Sequence, residues 1–123
     1  MVDYIIMEKK QKSITPKRIE NIALYYLSKY ESSSFLLRNM LKRRIEKYRL
    51  QGNIIPPSAF DWIEATIKKM EDLGYIDDRR YAEMQVNSMR SSGKSRYKIE
   101  QKLINAGISK DIMEELKLEE SIV

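Results

Sequence analysis

Apolar residues recur at helical spacing in six segments of this chain, and each segment is bounded by residues that start or stop a helix. The first begins at Thr15-Pro16, where a threonine N-cap and a proline at the first helical position favour a start. Ser58 with Asp61 forms a capping-box-like start for the third. Strand-like alternation of apolar and polar residues does not compete with this pattern, which therefore predicts an all-α protein of six helices.

The six segments also resemble each other in groups of three. Ala23 corresponds to Ala82 at an offset of 59, and Ser33 corresponds to Ser95 at an offset of 62. Such self-similarity is typical of stacked helical repeats, which share core residues across their junction. We therefore predict tandem three-helix repeats, two units in an elongated right-handed-type helical array. The predicted segments are a flexible N-terminal tail (1–14), a first three-helix repeat (15–74) and a second three-helix repeat (75–120).

The junction between the two units lies in "DLGYIDDRRYAEMQV" (72–86). Gly74 suits the left-handed position that ends a helix, and Asp77 suits the N-cap of the next one. Asp78 would then occupy the first helical position, where its charge favours the helix dipole. Ile76 and Tyr81 would form a hydrophobic staple around that start. Adjacent acids on a helix do not face each other, so we interpret this stretch as architecture rather than as a catalytic or metal site.

The residue inventory excludes several functions. The chain has no cysteine and no histidine, which removes disulfides, thiolate chemistry and imidazole-based catalysis. It also lacks a phosphate-binding loop and a convincing carboxylate cluster, so we predict no enzyme activity, no cofactor and no metal. No run of 18 apolar residues occurs, and the charges of the N-terminus follow a short apolar patch, the reverse of a signal peptide. We therefore expect a cytoplasmic protein without a membrane contact.

The positive charge of the chain is concentrated in its first half. Residues 1–58 hold 12 lysines and arginines against 5 acids, whereas residues 59–123 hold 11 against 13, which together give the net charge of +5. A basic half suggests an anionic partner, either nucleic acid or an acidic protein surface. A lysine-rich solvated surface is the alternative interpretation.

Three stretches resemble the RecX family: "LGYIDDRRYAEMQV", "IALYYLSKYESSSFLLRNMLKRR" and "SGKSRYKIEQKLINAGIS". The first is similar to the central signature of that family, in which a glycine precedes an apolar residue, two acids, a basic residue and an aromatic–alanine pair. The other two resemble the serine-started helices of the first and second units. The resemblance covers roughly residues 16–118. Family members usually carry a third unit, which is missing here, and both a short member and a truncated chain remain open.

The resemblance implies a function that composition and spacing do not. RecX proteins are built from tandem three-helix repeats and bind the RecA recombinase and its filament on DNA. They limit filament growth, and with it ATP hydrolysis, strand exchange and co-protease activity, which links them to recombination, DNA repair and the SOS response. The implied partners are the RecA filament and single-stranded or duplex DNA, and we expect a monomer. The alternatives are a stand-alone helix-turn-helix-like DNA-binding regulator that uses the helix at 96–106, and a helical protein-interaction adaptor.

The residues expected to bind RecA or DNA are exposed cations, because guanidinium and ammonium groups match phosphate and carboxylate. They are Arg38, Lys42, Arg43 and Arg44 in the first unit, Arg79 and Arg80 at the junction, and Arg90, Lys94, Arg96, Lys98 and Lys102 in the second unit. Any one of them is more often simply solvated than engaged.

Overall fold

The computed structural model describes residues 12–116, and within that range all six predicted helices are present. They are α1 (Pro16–Leu27), α2 (Ser34–Leu50), α3 (Ala59–Asp72), α4 (Asp78–Ser91), α5 (Arg96–Asn105) and α6 (Lys110–Glu115). The described part of the chain holds no strand, apart from one isolated bridge between Ser13 and Ile54. The prediction of an all-α protein is therefore confirmed. No helix in this range is long and apolar enough to cross a membrane.

Side-chain caps define where most of the helices begin. In five of them the N-cap oxygen accepts a hydrogen bond from the backbone N–H three residues later; these caps are Thr15, Ser33, Asp77, Ser95 and Ser109. The capping box predicted for Ser58 and Asp61 is wrong. Ser58 has helical backbone angles (φ −70°, ψ −7°) and makes no side-chain cap, because that cap needs an extended backbone at the N-cap residue.

Helices α1 to α3 surround the first of two cores. Ile19, Leu37, Ile63 and Met70 are fully buried there, and Trp62 packs against the cluster from its edge. Burial of large aliphatic side chains contributes roughly 1.5–3 kcal/mol each, so this cluster supplies much of the unit's stability. The core is closed by side chains from both ends of the unit.

One of those closing side chains lies in the predicted flexible tail. Ile14 is only 2% exposed and belongs to the first core. Its N–H donates to the carbonyl of Ile54 at 3.1 Å, and the N–H of Ile54 donates to the carbonyl of Lys12 at 2.8 Å. Residues 12–14 are thus packed against the loop after α2 rather than part of a loose tail. Residues 1–11 of that prediction lie outside the described residues.

Helices α4 to α6 surround a second, smaller core that includes Tyr81, Val86 and Leu103. Leu36 of α2 packs against this core, so the first unit helps to bury the second. Three of the pairs given by the sequence offsets are buried in both units, namely Ala23 with Ala82, Leu37 with Ile99 and Leu41 with Leu103, whereas Ser33 is buried and Ser95 is exposed. At these three pairs of positions, equivalent residues occupy equivalent places around two separate cores.

Candidate interaction surface

The two units are joined where the N-terminus of α2 meets the N-terminus of α4. The backbone N–H of Ser34 donates to Asp78 Oδ1 at 2.7 Å, and the Ser34 hydroxyl donates to Asp78 Oδ2 at 2.9 Å. The first turn of a helix has backbone N–H groups without intrahelical partners, so a carboxylate there satisfies donors and complements the dipole. Asp78 occupies the first position of α4, as predicted, but its carboxylate caps a helix from the other unit.

The serines before α2 make a second connection. Ser33 is completely buried, its hydroxyl donates to the carbonyl of Ala106 at 2.6 Å, and the same oxygen accepts from the N–H of Leu36 at 3.2 Å. Ala106 follows α5, where helix-terminal carbonyls lack intrahelical partners. Ser32 is equally buried and donates to the carbonyl of Ser33 at 2.9 Å. The "ESSS" stretch therefore does more than end a helix, because it ties α2 to the second unit.

A close backbone approach completes this connection. Gly107 has a φ of +72°, and a Cβ added there would lie 2.4 Å from both Cβ and Cγ of Phe35. Real Cβ atoms do not approach other heavy atoms this closely, so any side chain at 107 would push α2 away from the end of α5. Residues 33–35 thus meet the second unit through hydrogen bonds and through van der Waals contact. We call this set of contacts, made by Ser33, Ser34, Phe35, Asp78, Ala106 and Gly107, the junction clasp.

The apolar residues of the junction pack into both cores. Ile76 is buried in the first core, whereas Tyr81 is buried in the second. They were predicted to form a staple at the start of α4, and in the structure each anchors that start to a different unit. Burial raises the pKa of the Tyr81 phenol, and the nearby Tyr26 raises it further. Asp77 caps α4 by accepting the N–H of Arg80 at 3.0 Å.

Arg80 supports the junction instead of facing solvent freely. Its guanidinium donates to the carbonyls of Gly74 at 3.0 Å and Tyr75 at 3.3 Å, and lies 3.7 Å from a Glu31 carboxylate oxygen. Gly74 follows the C-cap of α3 with a φ of +77°, so these carbonyls lie in the short loop between α3 and α4. The arginine therefore ties the first turn of α4 to the loop that follows α3.

Other predicted cations are also held in intramolecular pairs. Arg38 of α2 donates twice to Glu64 of α3, at 2.7 and 3.0 Å, which lowers the pKa of the Glu64 carboxyl and raises that of the guanidinium. Arg79 contacts Glu115 and lies 3.4 Å from Glu83. Arg96 pairs with Glu100 at 3.4 Å. These arginines join helices or cover a helix face, so part of their binding capacity is already used.

The remaining predicted cations are exposed on both units. Their side chains make no hydrogen bond or ion pair with any other residue in the range 12–116. They are Lys42, Arg43 and Arg44 on α2, and Arg90, Lys94, Lys98 and Lys102 between α4 and the end of α5. Lys42 also lowers the pKa of Glu64, so it extends the Arg38 pair. Cations without carboxylate partners are the ones available to an anionic partner.

A groove between α1 and α2 adds residues that were not predicted from the sequence. It has a volume of about 390 Å³ and is lined by Arg18, Asn21, Ile22, Tyr25 and Arg44. The ammonium of Lys29 lies 4.7 Å from the centre of the Tyr25 ring. The three polar α1 residues follow one another at spacings of three and four, which places them on one helix face. The sequence contains that spacing, but it does not show that Arg44 of α2 lines the same groove.

No group of three or more acidic, cysteine or histidine side chains within residues 12–116 is arranged to hold a metal ion. The features available for function are therefore the exposed cations, the groove and the clasp that holds the two units together.

Comparisons with known proteins give a consistent result. A family model described as RecX, second three-helix domain, matches residues 77–116. The chain is 31% identical over 105 residues to a regulatory protein RecX of Myxococcus xanthus (strain DK1622), which covers 85% of this chain and 56% of that protein. Regulatory proteins RecX of Lactococcus lactis subsp. cremoris, strains MG1363 and SK11, are each 33% identical over 97 residues, covering 78% of this chain and 32% of theirs. The chain thus spans between a third and just over half of these relatives. No solved structure matches it significantly.

Proposed function

We propose, from the premise that this chain belongs to the RecX family of regulatory proteins, that it binds the RecA recombinase and its DNA filament and limits filament growth and activity. The matched domain begins at Asp77, the N-cap of α4, and ends beside α6, so it coincides with the second unit. The observation that supports the proposal is that the junction clasp attaches this second unit to the first unit, which also carries exposed cations.

A clasped pair of units suits binding to a polymer. Exposed cations in the middle of α2 and from the end of α4 through α5 keep a constant separation when the junction is rigid, so the entropic loss on binding is smaller than for two independent units. Guanidinium and ammonium groups meet phosphates and acidic protein side chains without burying an unpaired charge. In this proposal the protein acts by occupying a surface of the filament, without catalysis and without a cofactor, as a cytoplasmic monomer.

The proposal is tested by RecA-dependent ATP hydrolysis on single-stranded DNA, with this protein added below the RecA concentration. We expect suppression by the wild-type chain. The double variant Arg43→Glu/Arg44→Glu should require roughly tenfold more protein for half suppression, because reversing two interface charges costs about 1–2 kcal/mol. The variant Lys17→Glu/Lys110→Glu makes the same change in net charge at exposed positions outside the predicted set, and should behave like the wild type.

The possible results separate the candidate functions. An absence of suppression by the wild-type chain would contradict the proposal. If the wild-type chain does not suppress ATP hydrolysis but binds duplex DNA tightly and salt-dependently, a stand-alone regulator is favoured. That regulator would use α5, where Lys98 and Lys102 are exposed. If Arg43→Glu/Arg44→Glu suppresses ATP hydrolysis as well as the wild type does, the proposed function stands. These two arginines would then not belong to the binding surface.

A further inference from the structure

We propose that the groove between α1 and α2 is a binding site for single-stranded nucleic acid, which holds one nucleotide step through two guanidiniums and one exposed tyrosine. The groove is lined by Arg18, Asn21, Ile22, Tyr25 and Arg44. Its volume of about 390 Å³ falls in the lower part of the range of about 300–1,000 Å³ that is usual for ligand clefts. The inference rests on the proposed function, in which the protein meets a DNA strand within a filament.

The charge of the groove points to an anionic ligand. Arg18 comes from α1 and Arg44 from α2, so a cation stands on each helix that forms the groove. Both side chains are exposed, and neither makes a hydrogen bond or ion pair with another described residue between 12 and 116. No carboxylate from residues 12–116 lines the groove. Arg38 differs from these two arginines, because its guanidinium already donates to the carboxylate of Glu64. Two guanidiniums without carboxylates are suited to bidentate contact with a phosphate.

The remaining groove residues point to a base. Tyr25 is 63% exposed, although burying a ring of this size would be favourable, and Lys29 lies 4.7 Å from the ring centre. Exposed aromatic rings beside a cationic track are the platforms on which single-stranded bases stack. Asn21 lies between Arg18 and Tyr25 on the same helix face and carries both a donor and an acceptor for a base edge. Ile22, almost completely buried, forms the apolar floor.

A single strand fits this set of residues better than other anions do. A duplex offers phosphates but keeps its bases stacked inside, so Tyr25 would have no base to stack on. An acidic peptide would engage the guanidiniums and likewise leave the ring unused. Single-stranded nucleic acid presents a phosphate and an unstacked base within one nucleotide, which matches the cations and the ring together.

The test measures binding of a short fluorescein-labelled oligothymidylate to the full chain by fluorescence anisotropy across a salt series. Arg18→Gln and Arg44→Gln should each reduce the slope of log K against log salt by about 0.7, the value for one phosphate contact on a single strand. Tyr25→Leu should weaken binding about fivefold or more without changing that slope, because it removes a stacking contact and no charge. All three side chains are exposed, and circular dichroism of each variant verifies that the helices remain.

Two matched variants control for general effects. Lys17→Gln removes the same charge from the residue next to Arg18, and Tyr97→Leu removes an exposed tyrosine from the second unit. Both should bind like the wild type. The inference is overturned if Lys17→Gln changes the slope as much as Arg18→Gln. It is also overturned if Tyr25→Leu binds normally, or if the strand does not bind at all.

The two proposals can fail separately, because this assay contains no RecA. Oligonucleotide binding without suppression of ATP hydrolysis would count against the proposed function alone. Suppression of ATP hydrolysis by a chain that does not bind the oligonucleotide would count against the groove alone.

Discussion

Replacing Asp78 by alanine is expected to weaken the attachment of the second unit to the first, in addition to any effect on α4. The Asp78 carboxylate accepts the Ser34 N–H at 2.7 Å and the Ser34 hydroxyl at 2.9 Å, in a partly buried position. Hydrogen bonds to a charged acceptor contribute about 1.5–3 kcal/mol each, and partial exposure favours the lower end. We therefore expect Asp78→Ala to reduce the free energy of unfolding by about 2–3 kcal/mol.

Neighbouring variants isolate the contribution of the clasp. Asp77→Ala removes the side-chain cap of α4 but no contact between the units, and should cost about 1 kcal/mol. Ser34→Ala removes the hydroxyl bond to Asp78 and keeps the backbone bond. A double-mutant cycle between Ser34→Ala and Asp78→Ala should then give a coupling energy of about 1 kcal/mol.

Urea unfolding measures these differences with two probes. Trp62 is the only tryptophan and packs against the first core, so its fluorescence reports on the first unit, whereas circular dichroism reports on all helices. Loss of the two Ser34–Asp78 hydrogen bonds of the clasp should separate the two transitions in Asp78→Ala. Equal destabilisation by Asp77→Ala and Asp78→Ala, together with a coupling energy near zero, would refute the reasoning that Asp78 acts across the junction.

Three further changes test other parts of the structure. Gly107→Ala should destabilise the protein by at least about 2 kcal/mol in thermal or urea unfolding, because its Cβ would overlap Phe35. Gly93→Ala is the control, at φ +77° with open space around it, and should cost only about 1 kcal/mol. Wild type should lose stability relative to Tyr81→Phe as the pH rises above about 10, since burial raises the pKa of Tyr81 and the unfolded chain releases that proton first. Glu64→Gln should cost less than about 1 kcal/mol at neutral pH because the ion pair is exposed. The lowered pKa of Glu64 means that this difference disappears as the pH falls below about 4.5, and a difference that persists in acid would contradict it.

The helices and their order could be predicted from the sequence because the causes are local. Thr15, Ser33, Asp77, Ser95 and Ser109 cap the helices that follow them, and a cap needs only its own side chain and the next turn. The error at Ser58 has a local cause as well, since its backbone is helical rather than extended and the spacing to Asp61 does not reveal this. The matching positions of the two units followed from spacing alone.

The candidate site was less predictable, because whether an exposed cation is free depends on what lies opposite it. Arg38 and Arg43 look alike in the sequence, yet only Arg38 faces a carboxylate, that of Glu64 on another helix. Arg80 was predicted for a partner surface, and in the structure its guanidinium also donates to the carbonyls of Gly74 and Tyr75 in the loop after α3. Tyr25, by contrast, was not predicted to bind a partner. The structure makes it a candidate binding residue, because Arg44 lies across the groove from its helix face.

The sequence by itself thus determined the six helices and the all-α class, since hydrophobic period and capping act over a few residues. Tertiary structure alone decided how the units meet. Asp78 looks like a capping residue of its own helix, and Ser33 and Ser34 look like a simple break, until folding places residues 44 and 73 positions apart within hydrogen-bonding distance. Leaving a buried donor without an acceptor costs free energy, so each of these donors needs a partner. Only the folded chain shows which acceptor lies near it.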